Sequence, residues 1–200
     1  MKNIEAVFDL LDEWREFPSY QLERRADIYF ALFLPEIMKQ FFHEDIKHED
    51  IIPEFPLKNK NRQDFRPLRV DYVVFGSKFV YFIELKTSMS SWSPAQDDNM
   101  KAAKDKGLAK VIEEAKEISK RSRSGKYCFF NRRLDDLMKK EPMIGKKIKI
   151  VYIQPENPEK SKNIKSFEQI IQLIDSNKDK SDLEIRFRDS LARWIPEEKH

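Results

Sequence analysis

The chain has 200 residues, of which 36% are charged and 12% aromatic, with a formal net charge of +3. This length fits one domain with a hydrophobic core, and the composition excludes a disordered or fibrous chain. The single cysteine, Cys128, excludes an intramolecular disulfide and a cysteine-bound zinc or iron–sulfur site, and the longest apolar run, Ile28 to Leu34, is too short to span a bilayer. We therefore predict a single domain over residues 1–200 that is cytoplasmic and does not bind membranes.

Two helices are predicted at the start of the chain. Apolar residues of the first follow the i, i+3, i+4, i+7 spacing of a helix face, namely Ile4, Val7, Phe8 and Leu11. This helix should end before Pro18. The second should run from about Tyr20 to Phe42, and Pro35 is expected to kink or split it.

A short strand is predicted after these helices. His43 and His48 have no third ligand at metal spacing, so we interpret both as surface residues. The segment from Ile51 to Leu57 reads as a strand, and its two prolines confine it to a sheet edge. A loop is expected from Asn59 to Pro67.

The segment from Val70 to Lys86 predicts a β-hairpin that turns at Gly76-Ser77-Lys78. If residues whose numbers sum to 155 oppose each other, Asp71 faces Glu84 on one face of the sheet, with Cβ atoms about 4.5–5.5 Å apart. Two carboxylates that close favour a divalent cation between them, and Mg²⁺ binds through one or two carboxylates together with water and phosphate oxygens.

At these residues the chain resembles the PD-(D/E)XK nuclease superfamily, whose pattern is an acid opening one strand and Glu/Asp-x-Lys on the next. The matching residues are Asp71, Glu84 and Lys86, and Val70 stands where the family name has proline. The resemblance implies that Asp71 and Glu84 bind Mg²⁺ or Mn²⁺ and that Lys86 acts on the attacking water and the phosphate. The alternative is that Glu84 and Lys86 form an exposed ion pair at the end of a sheet.

The same resemblance implies an additional acid from the helix that precedes the sheet. Glu23 and Asp27, one turn apart, could supply it, and Glu36 competes for the role. Because Glu36 lies about 220° around the helix from Glu23, the two cannot both serve in one unbroken helix. Pairing of Glu23 and Asp27 with Arg24 or other surface cations is the structural alternative.

A long helix is predicted to begin at Ser93-Pro94-Ala95-Gln96, where Ser93 and Gln96 match a capping box. The glutamine also has a functional interpretation by resemblance. In the superfamily branch that includes RecB and lambda exonuclease, a glutamine at this position is followed four residues later by tyrosine. Here Gln96 fits and Met100 replaces the tyrosine.

Charge is distributed unevenly along the chain. Residues 1–56 hold 6 Lys/Arg against 13 Asp/Glu, whereas residues 120–149 hold 11 against 3. A local positive excess suits phosphate binding, and the candidate contacts are Arg132, Arg133, Lys139 and Lys140. Tyr127, Phe129 and Phe130 could stack on unpaired bases, but their spacing with Leu134, Leu137 and Met138 favours burial in the core of a helix.

The remaining pattern predicts a helix with a buried stripe from Leu108 to Ile118, a strand from Lys146 to Gln154 beyond the Glu84 strand, and two closing helices at Ser166 to Ile174 and Asp182 to Trp194. This order of elements predicts an α/β fold, a three-layer sandwich with a central mixed sheet flanked by helices. By resemblance, the fold is restriction-endonuclease-like.

The first functional hypothesis is a Mg²⁺-dependent deoxyribonuclease with Asp71, Glu84, Lys86, Glu23 and Gln96 at its site. A nucleic-acid-binding module that keeps the fold without turnover is the second, since the basic segment alone would suffice for it. A protein-interaction domain is the third. The sequence leaves the oligomeric state open, with a homodimer among the options.

Overall fold

The computed structural model describes residues 2–17, 21–59, 67–122, 124–140 and 145–196. Within these ranges there are seven α-helices: α1 Lys2–Trp14, α2 Leu22–Phe42, α3 Pro94–Lys106, α4 Leu108–Arg121, α5 Lys126–Lys140, α6 Phe167–Ser176 and α7 Asp182–Trp194. The same ranges contain five strands: β1 Ile51–Leu57, β2 Leu68–Phe75, β3 Phe79–Leu85, β4 Lys147–Gln154 and β5 Ile164–Ser166. Most of the loop predicted between β1 and β2, residues 60–66, lies outside the described residues.

The strands form one mixed sheet in the order β1-β2-β3-β4-β5. β1 and β2 pair antiparallel, as do β2 and β3, whereas β4 and β5 pair parallel. The chain is therefore an α/β protein with a mixed sheet, as predicted, and β1 with its two prolines is an edge strand. β4 follows β3 in the order, also as predicted.

Three details of the secondary structure differ from the sequence-based predictions. β5 was not predicted, because three residues carry too little alternation to identify a strand. α2 continues through Pro35, so of the two expectations for this proline, a kink or a split, the split is not found. Ile118 is only half-buried, so the buried stripe of α4 ends instead at Ser119, which accepts a hydrogen bond from Asn131 at 2.7 Å.

The described residues pack as two compact units. The first comprises Met1–His43, Leu85–Trp92 and Tyr152–His200, and the second comprises Glu44–Glu84 and Ser93–Val151. Aromatic side chains dominate the core of the first unit: Phe8, Phe30, Phe33, Phe167, Phe187 and Trp194. Phe187 is central, because its ring stacks on Phe33 at 5.0 Å and meets Phe30 edge-on at 5.1 Å. Burial of these rings is the main stabilising contribution in this unit.

The second unit is built on the β-hairpin. Both faces of β3 are buried, as in a central strand covered on both sides. Phe55 of β1 lies 5.5 Å from the Phe130 ring of α5 and 6.4 Å from Phe82, measured between ring centroids. Leu134 and Leu137 bury the inner face of α5, as their spacing predicts.

A buried carboxylate fastens the hairpin turn. Glu44, which is 2% exposed, accepts hydrogen bonds from the Ser77 amide at 2.7 Å and hydroxyl at 2.6 Å. It also accepts from the Lys78 amide at 3.3 Å and the Tyr81 hydroxyl at 3.1 Å. A Cβ atom at Gly76 would lie 2.8 Å from the Glu44 carboxyl carbon, so a larger residue there would displace the carboxylate from its hydrogen bonds. Sequence reasoning did not identify Glu44.

The Glu44 contacts predict an acid-sensitive hairpin. Burial alone would raise the pKa of Glu44, but the hydrogen bonds from Ser77, Lys78 and Tyr81 outweigh it and hold the pKa below its ordinary value of 4.5. Because the folded pKa is lowered, the stabilisation is fully present above pH 4.5 and is lost as the pH falls through the folded pKa. We expect Glu44→Gln to reduce the free energy of unfolding at pH 7 by about 2–4 kcal/mol.

The measurement is urea unfolding of wild type and Glu44→Gln between pH 3 and pH 7. The difference between the two proteins should shrink below pH 4.5, because the wild type then also loses its carboxylate. Glu113→Gln, at an exposed glutamate of α4, is the control and should change stability little. A pH-independent difference would show that the carboxylate charge does not hold the turn.

Candidate metal centre and surrounding residues

The register of the hairpin brings the two predicted acids to the same level of the sheet. The observed pairs are Tyr72 with Ile83, Val73 with Phe82, Val74 with Tyr81, and Phe75 with Val80. These pairs confirm the predicted register. One further step along the same register sets Asp71 opposite Glu84, and residues directly opposite each other in an antiparallel pair project from the same face.

Glu84 is 2% exposed, whereas Asp71 is half-buried. A buried carboxylate is costly unless it is paired, hydrogen-bonded or bound to a cation. The Gln96 side-chain amide of α3 donates a hydrogen bond to Glu84 Oε1. Glu84 and Gln96 are therefore in contact within the second unit, and the register places Asp71 across the hairpin from Glu84.

The predicted capping box at the start of α3 is wrong. Ser93 is the N-cap residue and Pro94 the first helical residue, but the Ser93 side chain makes no capping hydrogen bond. The Gln96 side chain instead reaches Glu84 and the Arg69 carbonyl, the latter at 3.5 Å. The Gln96 side chain therefore makes a tertiary hydrogen bond with Glu84 in place of the local capping hydrogen bond.

Sequence reasoning did not single out a third acid, Glu54, on the neighbouring strand β1. Pro53 opposes Tyr72 and Phe55 opposes Val70, so Glu54 occupies the β1 position across from Asp71. Glu54 has a positive φ of 52° and an exposed side chain that pairs with Arg69 at 3.4 Å. The sequence pattern that could have identified Glu54 is a single charged residue within the otherwise apolar strand β1.

The oxygen ligands suit a hard divalent cation. Carboxylate and amide oxygens are what Mg²⁺ and Mn²⁺ prefer, and a site with two carboxylates leaves positions for water and phosphate. Among the described residues, no group of three or more His, Cys, Asp or Glu side chains is arranged to hold a metal. Asp71 and Glu84 thus remain a two-carboxylate candidate, with Gln96 beside them.

Lys86 belongs to the first unit and follows Glu84 by two residues in the chain. It is 7% exposed, and its amide donates to the Ile153 carbonyl at 2.8 Å. Both Glu84 and Lys86 are buried, so the exposure that the ion-pair alternative predicted for them is wrong. Buried lysines are uncommon in folded proteins, and Lys86 shares this burial with Lys165.

The structure distinguishes the three helix acids. Glu23 Oε1 accepts a hydrogen bond from the Thr87 amide at 3.2 Å, next to Lys86 in the chain. Asp27 contacts the adjacent Ile28 amide at 2.6 Å, and Glu36 is exposed. Of these three acids, Glu23 is the one with a hydrogen bond to Thr87, the residue that follows Glu84-Leu85-Lys86.

A polar cavity of about 470 Å³ opens beside this contact in the first unit. Arg24 and Glu23 from α2, together with Thr87 and Ser88, form part of its lining. Guanidinium and hydroxyl groups donate hydrogen bonds, so the cavity offers donors next to Glu23.

The four predicted phosphate contacts of α5 fall into two pairs. Arg132 and Lys139 are exposed, although Lys139 lies 3.9 Å from Asp136. Arg133 donates to the His48 carbonyl at 3.3 Å, and Lys140 forms ion pairs with Glu49 and Asp50. Arg133 and Lys140 therefore hold α5 against the turn before β1, and only Arg132 and Lys139 present their charge outward.

The interpretation of the α5 aromatic residues as core was wrong for one of them. Phe129 is 63% exposed, with the Arg132 guanidinium 5.2 Å from its ring centroid. Tyr127 and Phe130 are half-buried. Met138, expected in the buried stripe, is 38% exposed.

The prediction for the two histidines is confirmed. His43 and His48 are exposed, as expected for surface histidines. No helix in the described ranges has the length and apolar character needed to cross a membrane.

Comparisons with protein-family models, curated proteins and solved structures found no match. The resemblance to the PD-(D/E)XK nucleases therefore stays a prediction from the sequence, based on Asp71, Glu84 and Lys86.

Proposed function

We propose that this chain is a metal-dependent nuclease that hydrolyses phosphodiester bonds in DNA and has a restriction-endonuclease-like fold. The observation that carries the proposal is the buried Glu84 carboxylate, which meets the Gln96 amide on a strand whose register sets Asp71 opposite it. An acid that opens one strand, with Glu/Asp-x-Lys on the next strand, is the superfamily pattern. The five-stranded mixed sheet is compatible with that fold.

Asp71 and Glu84 would hold Mg²⁺ or Mn²⁺ through their carboxylate oxygens. The bound ion lowers the pKa of water and neutralises charge on the phosphate. The Gln96 amide orients the Glu84 carboxylate, since it already bonds to one of its oxygens.

Lys86 supplies a positive charge that stabilises the developing negative charge on the phosphate oxygens and positions the attacking water. Glu23 fixes the backbone after Lys86 through the Thr87 amide. These roles are separable, because charge at Lys86 acts in the transition state whereas Glu23 acts on position.

Metal removal is the first test. We expect the purified protein to nick or linearise plasmid DNA with Mg²⁺ or Mn²⁺, and to lose this activity when EDTA removes the ion. Gel analysis of plasmid conversion over time is the measurement, with Ca²⁺ as a control for binding without efficient turnover. DNA binding with no cleavage under any metal would favour the nucleic-acid-binding module instead.

The outward charges of α5 predict a second result. Reversal of Arg132 and Lys139 to glutamate should lower the slope of log Kd for DNA against log salt by roughly two, because about one counterion is released per phosphate contact. Extending the reversal to Arg133 and Lys140 would also break the contacts with the turn before β1.

Fluorescence anisotropy of a labelled duplex between 50 and 300 mM salt measures this slope. Lys39→Glu with Lys47→Glu makes the same change in net charge at exposed positions of the acidic region and is the matched control. Equal slopes in the two double variants would show that Arg132 and Lys139 are solvated and make no phosphate contacts.

A further inference from the structure

The first unit exposes a stripe of apolar side chains on α1. Val7 and Leu10 are each 41% exposed, Trp14 is 42% exposed, and Phe17, just beyond the helix, is 59% exposed. At 100° per residue, Val7, Leu10 and Trp14 fall within an arc of about 60°. Val7 was predicted to share the buried face with Phe8, which is 0% exposed, but it lies instead on a second apolar face of α1 that is exposed to solvent.

α2, the helix that packs on α1, also exposes two large apolar side chains. Ile28 is 61% exposed and Leu32, one turn later, is 42% exposed. The two helices pack through Phe8 and Tyr29, whose ring centroids are 4.7 Å apart. We call the combined surface the α1–α2 patch; it consists of Val7, Leu10, Trp14, Phe17, Ile28 and Leu32.

The size of the α1–α2 patch is that of an interface. Six large apolar side chains exposed to this degree present on the order of 500 Å² of apolar surface, at the upper end of what monomers expose. A stable interface covers about 800 Å² per partner, of which roughly 60% is apolar. The patch with a polar rim would therefore fill one side of such an interface.

The two edges of the patch carry opposite charges. On the helical wheel of α1, Glu13 lies about 60° beyond Leu10, on the side away from Val7. On the wheel of α2, Arg24 lies about 40° beyond Ile28, on the side away from Leu32. Both Glu13 and Arg24 are exposed. The patch therefore runs from an acidic edge on α1, across apolar side chains, to a basic edge on α2.

We propose that the α1–α2 patch binds a second copy of this chain in a two-fold symmetric dimer. A two-fold axis that lies in the plane of the patch places the acidic edge of each copy against the basic edge of the other. The dimer therefore has two equivalent contacts between opposite charges. A surface that is complementary to itself in this way needs no partner of another kind. The apolar centre supplies affinity, and the charged edges set the orientation.

Sedimentation velocity tests the dimer. We expect wild-type protein to pass from monomer to dimer between about 1 and 200 μM, and Leu10→Glu to raise the dimer dissociation constant at least tenfold, because it buries a charge within the patch, next to the acidic edge. Ile185→Glu, at a 37% exposed position of α7, is the matched control and should dimerise like wild type. Circular dichroism checks that each variant is folded.

The charged edges allow a test of the symmetry. Glu13→Lys and Arg24→Glu should each weaken self-association, because like charges then meet at both edges. Mixed in equal amounts, the two variants should form a heterodimer, since each edge of the mixed pair joins opposite charges. A monomeric wild type at 200 μM, equal dissociation constants for Leu10→Glu and Ile185→Glu, or binding of the wild-type monomer to anionic vesicles through the patch would overturn the proposal. None of these measurements depends on nuclease activity.

Discussion

Replacement of Glu84 by alanine is expected to reduce the rate of metal-dependent DNA cleavage by at least about 10³-fold. Glu84 is 2% exposed and lies opposite Asp71 in the hairpin register, so the variant removes one of only two proposed carboxylate ligands. The affinity for Mn²⁺ should fall with the rate. DNA binding through Arg132 and Lys139 should persist, because those charges lie on another element.

Single-turnover cleavage and calorimetric titration with Mn²⁺ on the same preparation measure these effects. Glu114→Ala is the matched control, because Glu114 is also a buried glutamate of the second unit, 8% exposed and paired with Lys106 at 2.8 Å. It should lower stability without lowering Mn²⁺ affinity. Wild-type cleavage by Glu84→Ala would remove the metal-site assignment.

Replacement of Lys86 by methionine is expected to lower kcat by about 10²–10³-fold while metal and DNA affinities change by less than about threefold. Methionine keeps most of the volume of the lysine stem and removes the charge. If that charge acts on the developing phosphate charge, its loss affects the transition state and not the ground state.

Lys165→Met offers a matched control, because Lys165 is also 7% exposed and belongs to the same unit. Burial lowers the pKa of Lys165, whose ammonium lies 4.9 and 5.2 Å from the ring centroids of Phe41 and Phe42. Cleavage rate, Mn²⁺ affinity and thermal midpoint are measured for both variants. A Lys86→Met protein that is less stable but cleaves at the wild-type rate would show that the lysine is structural.

Several features were predictable from sequence because neighbouring residues specify them. α7 runs from Asp182 to Trp194 as predicted, and its start is fixed by Ser181, whose hydroxyl accepts from the Glu184 amide at 3.3 Å. The hairpin register followed from a short turn between two apolar runs, since turn length and side-chain alternation leave one pairing that buries both strands. Asp71 and Glu84 were found through that register.

Other features depended on contacts between residues far apart in the chain. Glu44 reaches Ser77 across 33 positions, and no local pattern marks a carboxylate that closes a distant turn. From the sequence, Lys140 was predicted to offer its positive charge to a phosphate group. In the fold, ion pairs with Glu49 and Asp50 neutralise that charge.

The start of α3 shows why local and tertiary information can disagree. Ser93 and Gln96 match a capping box, which contributes about 1 kcal/mol at a helix end. The buried Glu84 carboxylate gains more from a hydrogen bond, because an unsatisfied charged group in the interior costs several times that amount. The sequence by itself determined the helices, the hairpin and the register that places Asp71 opposite Glu84. The tertiary structure decided which polar side chains form hydrogen bonds with these acids, because burial sets the energetic cost of leaving a carboxylate without a partner.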